Sequence, residues 1–481
     1  MTTIKENKDG KVKESYGYTY DKNSNILQER IISHYAAADE KELDCTKNYT
    51  YDKNGRLTKA EVIDHTEGGA GSGTTEYTYD LAGNRDKELT PEGLLLDYHY
   101  NGLNQLFLIE TEEQDDTGEW QVRATETYTY DRNGNQTGKT SSASGETISM
   151  TYDAANRLAG YEKKKDGAAL LNQKNRYNGE GHRIRKEETK GKESSVRNYY
   201  YQDGKVLYTT DGENQRNSFN LFGREGNVIA TARGAGSSET WYLYNKDVRG
   251  STSSLIDDGG IAAAAYTYDE FGNTTIRAGA DFDNELCYTG QVYDKETGLY
   301  YYNARFYDPE DGRFLAQDTY RGENMEPDTL HLYAYCANNP VNYVDPSGHS
   351  SVPTWHKKTI TYKVRGKGTL KVKFEWWKSK KRKQVIVYKD AKVSKKSAFL
   401  RITKIFRNET KPQSKYVNVV NIQAALAIWK WQITGVSSGM YPWSVMILDI
   451  NIRGNKKPMV KYRKKSVSYK KYKKWKWGDF N

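Results

Sequence analysis

Cysteine is scarce in this sequence of 481 residues, which contains only three copies. Cys45, Cys287 and Cys336 lie far apart and form no CxxC pair, so they predict neither a disulfide framework nor a zinc cluster. We expect no metal and no cofactor. Proline is also scarce, at 9 copies, whereas glycine occurs 41 times, and this balance favours strands joined by turns over helices.

Long hydrophobic runs are absent as well. No stretch of about 18 apolar residues occurs, and the N-terminus lacks the apolar segment that export signals contain. We therefore expect neither a transmembrane segment nor a signal peptide in this chain. Because the sequence enters repeats almost at once, we expect the C-terminal part of a larger secreted or cell-surface protein whose export signal lies elsewhere.

Charge divides the sequence into two parts. Residues 1–350 contain 39 Lys and Arg against 58 Asp and Glu, whereas residues 351–481 contain 34 against 5, so the net charges are −19 and +29. So abrupt a change indicates two modules with different partners. The turn-forming Asp345-Pro346-Ser347-Gly348 marks the border, which predicts one domain over residues 1–349 and a basic domain over 350–481.

Tyrosine supplies the apolar material that aliphatic residues do not, with 40 copies, many of them in a repeated phrase. Tyr-Thr-Tyr-Asp, followed by a turn that contains Gly-Asn or a variant of it, starts at Tyr18, Tyr49, Tyr77, Tyr128 and Tyr266. Both rings leave one face of a strand, and the turn returns the chain as a hairpin. A single hairpin cannot bury its aromatic face, so neighbouring hairpins should form one continuous sheet.

These repeats and the segments after them resemble a known family. The YDxxGN phrases look like the YD/Rhs repeats of bacterial Rhs proteins, insecticidal toxin complexes and teneurins. Two later segments resemble the Rhs-associated core signature, one containing Arg305-Phe306-Tyr307-Asp308-Pro309 and the other Asn338-Asn339-Pro340. The resemblance implies a mainly β fold, with a partial spiral sheet of YD repeats forming a shell over residues 1–349 and the core signature at about 266–349.

The end of the core raises the question of self-cleavage. In several relatives the core ends with PxxxxDPxGL and cuts itself after the leucine, using an aspartyl-protease-like pair of carboxyl groups. The resemblance assigns that pair to Asp318 and Asp345, the control of their ionisation to Arg305, and the cut to the bond between His349 and Ser350. His349 replaces the leucine, and an imidazole fits an apolar seat poorly. The sequence therefore leaves cleavage and a permanently joined plug-and-turn motif both open.

The basic domain resembles no family. Alternating or β-branched runs predict strands at residues 359–364, 369–377, 384–389 and 443–452, and apolar spacing predicts a helix at 417–431, whereas 397–405 fits either element. We therefore expect a small α+β domain.

Its lysines alternate with aromatic residues, which suits a nucleic-acid groove because ammonium groups follow phosphates while rings stack on bases. The candidate binding residues are Lys380, Lys381, Arg382, Lys383, Arg463, Lys464, Lys465, Lys470, Lys471, Lys473, Lys474, Trp475 and Trp477. We expect RNA or DNA as the partner. A solvated basic face, charge that complements the acidic shell, and attachment to an anionic membrane are the alternatives.

Catalytic groups are few in the basic domain, which has five acidic residues and one histidine. So few acidic and histidine side chains do not suit an HNH centre, a zinc site or a two-metal carboxylate cluster. A metal-independent ribonuclease remains, with His356 or Glu409 as the general base and Arg407 stabilising the phosphorane.

Together these features predict an Rhs-type polymorphic toxin. The shell would carry and release a basic domain that targets nucleic acid, and the producing cell would hold an acidic immunity protein. The alternative is a cell-surface adhesion or structural protein whose basic tail binds anionic wall polymer, membrane or the shell itself.

Overall fold

The computed structural model divides the chain into two units, Met1–Val352 and Pro353–Asn481. In unit 1 it describes residues 2–6, 12–34, 42–66, 71–223, 227–234, 239–322 and 329–349, and in unit 2 it describes strands between 353 and 466. Among these described residues no helix is long and apolar enough to cross a membrane.

Unit 1 is built on one antiparallel sheet of 23 strands, in which each strand pairs with its neighbours in sequence. No pairing of the described residues joins the first strand to the last, so the sheet is open, and the predicted mainly β, partial shell of YD repeats is confirmed. The strands are β1 (Thr2–Glu6), β2 (Val12–Tyr20), β3 (Ile26–Ser33), β4 (Leu43–Tyr51), β5 (Leu57–Asp64), β6 (Gly73–Tyr79), β7 (Arg85–Leu89), β8 (Leu95–Tyr100), β9 (Leu106–Gln114), β10 (Trp120–Tyr130), β11 (Gln136–Ser141), β12 (Glu146–Tyr152), β13 (Leu158–Lys165), β14 (Ala168–Tyr177), β15 (Arg183–Lys190), β16 (Glu193–Gln202), β17 (Lys205–Thr210), β18 (Arg216–Phe222), β19 (Val228–Arg233), β20 (Thr240–Lys246), β21 (Thr252–Ile256), β22 (Ala262–Tyr268) and β23 (Thr274–Ala278).

The aspartate of each repeat organises the turn that follows it. Asp131 Oδ1 accepts the backbone N–H groups of Asn133 and Asn135, each at 2.9 Å, and Oδ2 accepts the Asn135 amide at 2.8 Å. Gly134 adopts a φ of +81°, which a residue with a Cβ rarely takes. The phrase therefore encodes a turn closed by side-chain acceptors, as its sequence predicts.

In six of the described repeats, the tyrosine directly before the turn bonds to the preceding repeat. Its hydroxyl donates to the carbonyl of the residue that begins the strand after the preceding turn, at 2.6–2.8 Å. The pairs are Tyr51–Ile26, Tyr79–Leu57, Tyr152–Gln136, Tyr177–Leu158, Tyr201–Arg183 and Tyr268–Thr252. This bond explains why the position carries tyrosine, since phenylalanine could fill the space but not donate.

Residues 288–322 and 329–349 form a core segment that packs against the large sheet. It contains the short strands β24 (Val292–Asp294), β25 (Leu299–Tyr301), β26 (Phe306–Asp308) and β27 (Arg313–Phe314), which form a four-stranded antiparallel sheet, with β28 (Tyr343–Val344) and two 3₁₀ turns, Tyr288–Gly290 and Cys336–Asn338. Its rings pack with Leu255 and Tyr266 of the large sheet. Six of them are almost fully buried, namely Tyr288, Tyr300, Tyr302, Tyr307, Phe314 and Tyr335.

Part of the core segment crosses successive repeat turns and caps them. The Asn338 and Asn339 amides donate to the carbonyls of Gly83 and Gly55, each at 2.6 Å, and Asn342 accepts the backbone N–H of Ile26 at 2.7 Å. The Tyr333 hydroxyl donates to the Gly134 carbonyl at 2.8 Å. The end of the core segment is thus fixed to several hairpins at once.

Buried ion pairs join the core segment to the sheet. Arg183 and Asp294 are both fully buried and paired, and the Lys186 ammonium lies 3.2 Å from Asp294. Although burial opposes ionisation, the charges of Arg183 and Lys186 hold the pKa of Asp294 well below its ordinary value. These cations therefore keep the buried carboxylate charged.

Unit 2 is described by its strands. One antiparallel sheet contains β30 (His356–Val364), β31 (Gly368–Lys378), β32 (Lys383–Val387) and β33 (Lys392–Val393), and another contains β34 (Ala398–Phe406), β35 (Val419–Thr434), β36 (Ser437–Arg453) and β37 (Met459–Ser466). The remaining strand, β29, covers Val352–Pro353. Every element described after residue 352 is a strand.

The helix predicted over residues 417–431 is therefore wrong, because β35 runs through this region and pairs with β36 along its length. The apolar spacing of Ile422, Leu426 and Trp429 fits a helix. The segment is also rich in β-branched and aromatic residues, which favour a strand once a partner strand is present. Residues 397–405, which fit either element, correspond to strand β34.

Replacing Tyr152 with phenylalanine tests the bond between repeats. We expect Tyr152→Phe to lower the free energy of unfolding by about 1 kcal/mol, because the Gln136 carbonyl loses a donor at 2.8 Å while the ring remains. Tyr200→Phe is the matched control, since Tyr200 is an exposed ring on the same sheet. Chemical denaturation measures both, and equal stabilities would contradict the role of the hydroxyl.

Asp269 should make stability depend on pH. Burial and the adjacent charge of Glu270 raise the pKa of Asp269 to about 6. A raised pKa means that the folded chain binds the proton more tightly than the unfolded chain, so stability increases as pH falls through about 6 and decreases as pH rises. We expect Asp269→Asn to remove about 1–2 kcal/mol of this pH dependence between pH 5 and 8. Melting curves that keep the wild-type pH dependence would contradict this.

Candidate functional site

Arg305 occupies the centre of the candidate site, directly before strand β26. Its guanidinium lies 3.6 Å from the centre of the Phe314 ring, and its Nη1 donates to the Leu332 carbonyl at 2.9 Å. Its Nε donates to the Gly348 carbonyl. Burial lowers the pKa of Arg305 to about 10, against the opposing charges of Asp318 and Asp345, so the side chain is still a cation at neutral pH.

Asp318 contacts both the central arginine and the residue before the predicted cut. Its Oδ2 lies 2.8 Å from Arg305 Nη2, and its Oδ1 lies 2.9 Å from His349 Nδ1. The same Oδ1 accepts the Tyr320 backbone N–H at 2.9 Å, while the Asp318 N–H donates to the Leu332 carbonyl. The carboxylate is buried and held from several directions.

Asp345 is the second carboxylate at the site. Its Oδ1 accepts the backbone N–H groups of Ser347 at 3.1 Å and Gly348 at 2.9 Å, and its Oδ2 lies 3.9 Å from Arg305 Nη2. One guanidinium nitrogen therefore lies within 4 Å of both carboxylates. Two buried acids beside one cation is an arrangement that allows one to stay charged while the other holds a proton.

The turn that ends in Gly348 fixes the path of the chain into the site. Gly348 has a φ of +78°, and a Cβ added there would lie 2.4 Å from the Tyr302 carbonyl oxygen, so only glycine fits. The Ser347 carbonyl accepts the Ala304 N–H at 3.3 Å. These contacts bring His349 next to Asp318.

The structure thus brings together four residues that the sequence separates by up to 44 positions, namely Arg305, Asp318, Asp345 and His349. Ser350 lies outside the described residues. Sequence reasoning missed the His349–Asp318 contact and the support of Arg305 by Phe314 and Leu332. The signal for the contact was His349 itself, at the position where the family carries leucine, because an imidazole beside a carboxylate can form a hydrogen bond.

The candidate residues of the basic domain are described only in part. His356 begins strand β30, Lys383 begins β32, and Arg463, Lys464 and Lys465 lie in β37. The others lie outside the described residues, namely Lys380, Lys381, Arg382, Arg407, Glu409, Lys470, Lys471, Lys473, Lys474, Trp475 and Trp477. Their roles stay predictions.

Comparison with known sequences finds relatives among bacterial toxins. The chain is 33% identical over 282 residues to the tRNA3(Ser)-specific nuclease WapA of Bacillus spizizenii, and 34% identical over 282 residues to the tRNA nuclease WapA of Bacillus subtilis. Each match covers 57% of this chain and 11% of the relative, so the chain spans about a tenth of their length. The double-stranded DNA deaminase toxin A of Burkholderia cenocepacia is 37% identical over 112 residues, covering 22% of this chain and 7% of that protein.

Among solved structures, a Photorhabdus luminescens Tc holotoxin pore is similar at 19% identity and a TM-score of 0.35, covering 73% of this chain and 21% of that chain. A family model described as Teneurin YD-shell matches residues 18–341, which is more than half of the sequence. The matched range holds nearly all the repeat hairpins and most of the core segment. The chain therefore belongs to the Teneurin YD-shell family of Rhs/YD-repeat proteins.

Proposed function

We propose that the chain is the C-terminal part of an Rhs-type polymorphic toxin that releases its basic domain by cutting the bond between His349 and Ser350. The observation that carries this proposal is the geometry at the border of the two charge modules, where Asp318 and Asp345 both lie within 4 Å of Arg305 Nη2. The change from −19 to +29 at this border supports a separate passenger.

The cut would use water and two carboxyl groups. The ionised carboxylate takes a proton from water, and the resulting hydroxide attacks the His349 carbonyl carbon. The protonated carboxyl then donates its proton to the Ser350 nitrogen as the carbon–nitrogen bond breaks, leaving a new carboxylate and a new amine. Asp318 is the base in this scheme because it lies beside residue 349, and Asp345 is the acid. Arg305 lies within 4 Å of both carboxyl groups and would set their ionisation.

Nucleic acid is the proposed target of the released domain. Its charge of +29 and its lysines spaced with aromatic residues suit phosphates and bases. The names of the relatives, two tRNA nucleases and a DNA deaminase toxin, support this class of target. An acidic immunity protein would protect the producing cell, and the toxin would act after secretion. His356, Arg407 and Glu409 are the candidate catalytic residues of a metal-independent ribonuclease.

The first test follows cleavage of the purified full chain on a denaturing gel and by intact mass. We expect two fragments over time, with the new N-terminus at Ser350. Asp318→Asn and Asp345→Asn should each slow the reaction by roughly 100-fold or more, because a general acid or base is lost. Asp116→Asn, on an exposed turn, is the matched control and should cleave like the wild type. A single intact band at every pH would contradict self-cleavage.

The second test follows the effect of the basic domain on growth. Residues 350–481 produced in a bacterial host should stop growth and cause loss of intact RNA or DNA, whereas residues 1–349 should not. If the ribonuclease assignment holds, Glu409→Gln should restore growth, while Glu375→Gln should not. Harmless accumulation of the domain would instead favour the adhesion or structural alternative.

A further inference from the structure

We propose that His349 is a positioning residue that slows self-cleavage by occupying a proton-accepting position on Asp318. The inference rests on the proposed cleavage and concerns its rate. It starts from the contact between the His349 imidazole and the Asp318 carboxylate, at 2.9 Å.

The acceptor positions of Asp318 are nearly all in use. A carboxylate offers about four lone-pair positions on its two oxygens. Oδ2 faces Arg305 at 2.8 Å, and Oδ1 accepts the Tyr320 N–H at 2.9 Å. The His349 imidazole takes a further position on Oδ1, at 2.9 Å. A base that must accept a proton from water is therefore already hydrogen-bonded there.

The imidazole is held in this place by its own backbone. The His349 N–H donates to Ser347 Oγ at 3.3 Å, and the Gly348 carbonyl before it is bound by Arg305. A leucine with the same backbone would have no donor to offer Asp318. Histidine in place of leucine thus adds a contact to the base.

Three forms of the full chain separate the hydrogen bond from the rest of the side chain. The wild type has an imidazole donor, His349→Asn keeps an amide donor, and His349→Leu has none. We expect His349→Leu to cleave roughly ten to a hundred times faster than the wild type, the range that loss of a hydrogen bond to a charged group gives. His349→Asn should stay nearly as slow as the wild type. Mass spectrometry of timed samples gives the rates, and equal melting temperatures show that the fold is unchanged.

The outcomes distinguish this inference from the function it rests on. If the wild type and His349→Leu cleave at equal rates, or the leucine variant is slower, the inference is overturned while self-cleavage stands. If no form cleaves, the leucine variant included, both are overturned. Adding Asp318→Asn to His349→Leu should abolish the fast reaction, and fast cleavage in that double variant would show that Asp318 is not the base.

Discussion

The structure of unit 1 depends on one recurring hydrogen bond, from the tyrosine hydroxyl before a turn to a backbone carbonyl of the preceding repeat, which six of the described repeats make. The bond joins Tyr51 to Ile26 and Tyr177 to Leu158 at the same distance, although these repeats differ in most other residues. It satisfies a polar group inside an aromatic core, where an unmade bond would be costly. It also joins consecutive hairpins in the same way.

The core segment binds to the turns of these joined hairpins. Asn338 and Asn339 bind the carbonyls of Gly83 and Gly55, which occupy equivalent places in successive turns. A chain held at several such places has little freedom when it reaches Asp345. The candidate site is therefore positioned by several hairpins as well as by its own turn, and this is the kind of preorganisation that acid–base chemistry requires.

The sequence predicted the repeats and the turns, because period-two tyrosines and Asp-x-x-Gly-Asn are local patterns, whereas the residues of the candidate site were named only by the family resemblance. It did not predict the partners that join distant positions, such as Asn342 with Ile26 or Lys139 with Asp311. Periodicity tells which face of a strand is apolar, but not which segment will cover it. The helix predicted at 417–431 failed for the same reason, since pairing with Ser437–Arg453 outweighs local spacing.

The balance of buried charge separates the candidate site from the structural ion pairs. At Asp294, two cations hold one carboxylate, and its pKa is lowered despite burial. At Arg305, one cation contacts Asp318 directly and lies 3.9 Å from Asp345. An excess of carboxylates is what proton exchange needs, because a fully paired carboxylate cannot alternate between acid and base.

Carboxylate excess alone does not make a cleavage site. Lys139 lies between Glu126, Glu310 and Asp311, and burial together with the Asp311 charge raises the pKa of the neighbouring Asp308 well above its ordinary value. What the site at Arg305 adds is a chain turned by Gly348 so that residue 349 touches one of the acids. The combination of two acids beside one cation and a turn that places His349 against one of them, at the point where the net charge of the sequence reverses, is what supports the proposed release of a passenger.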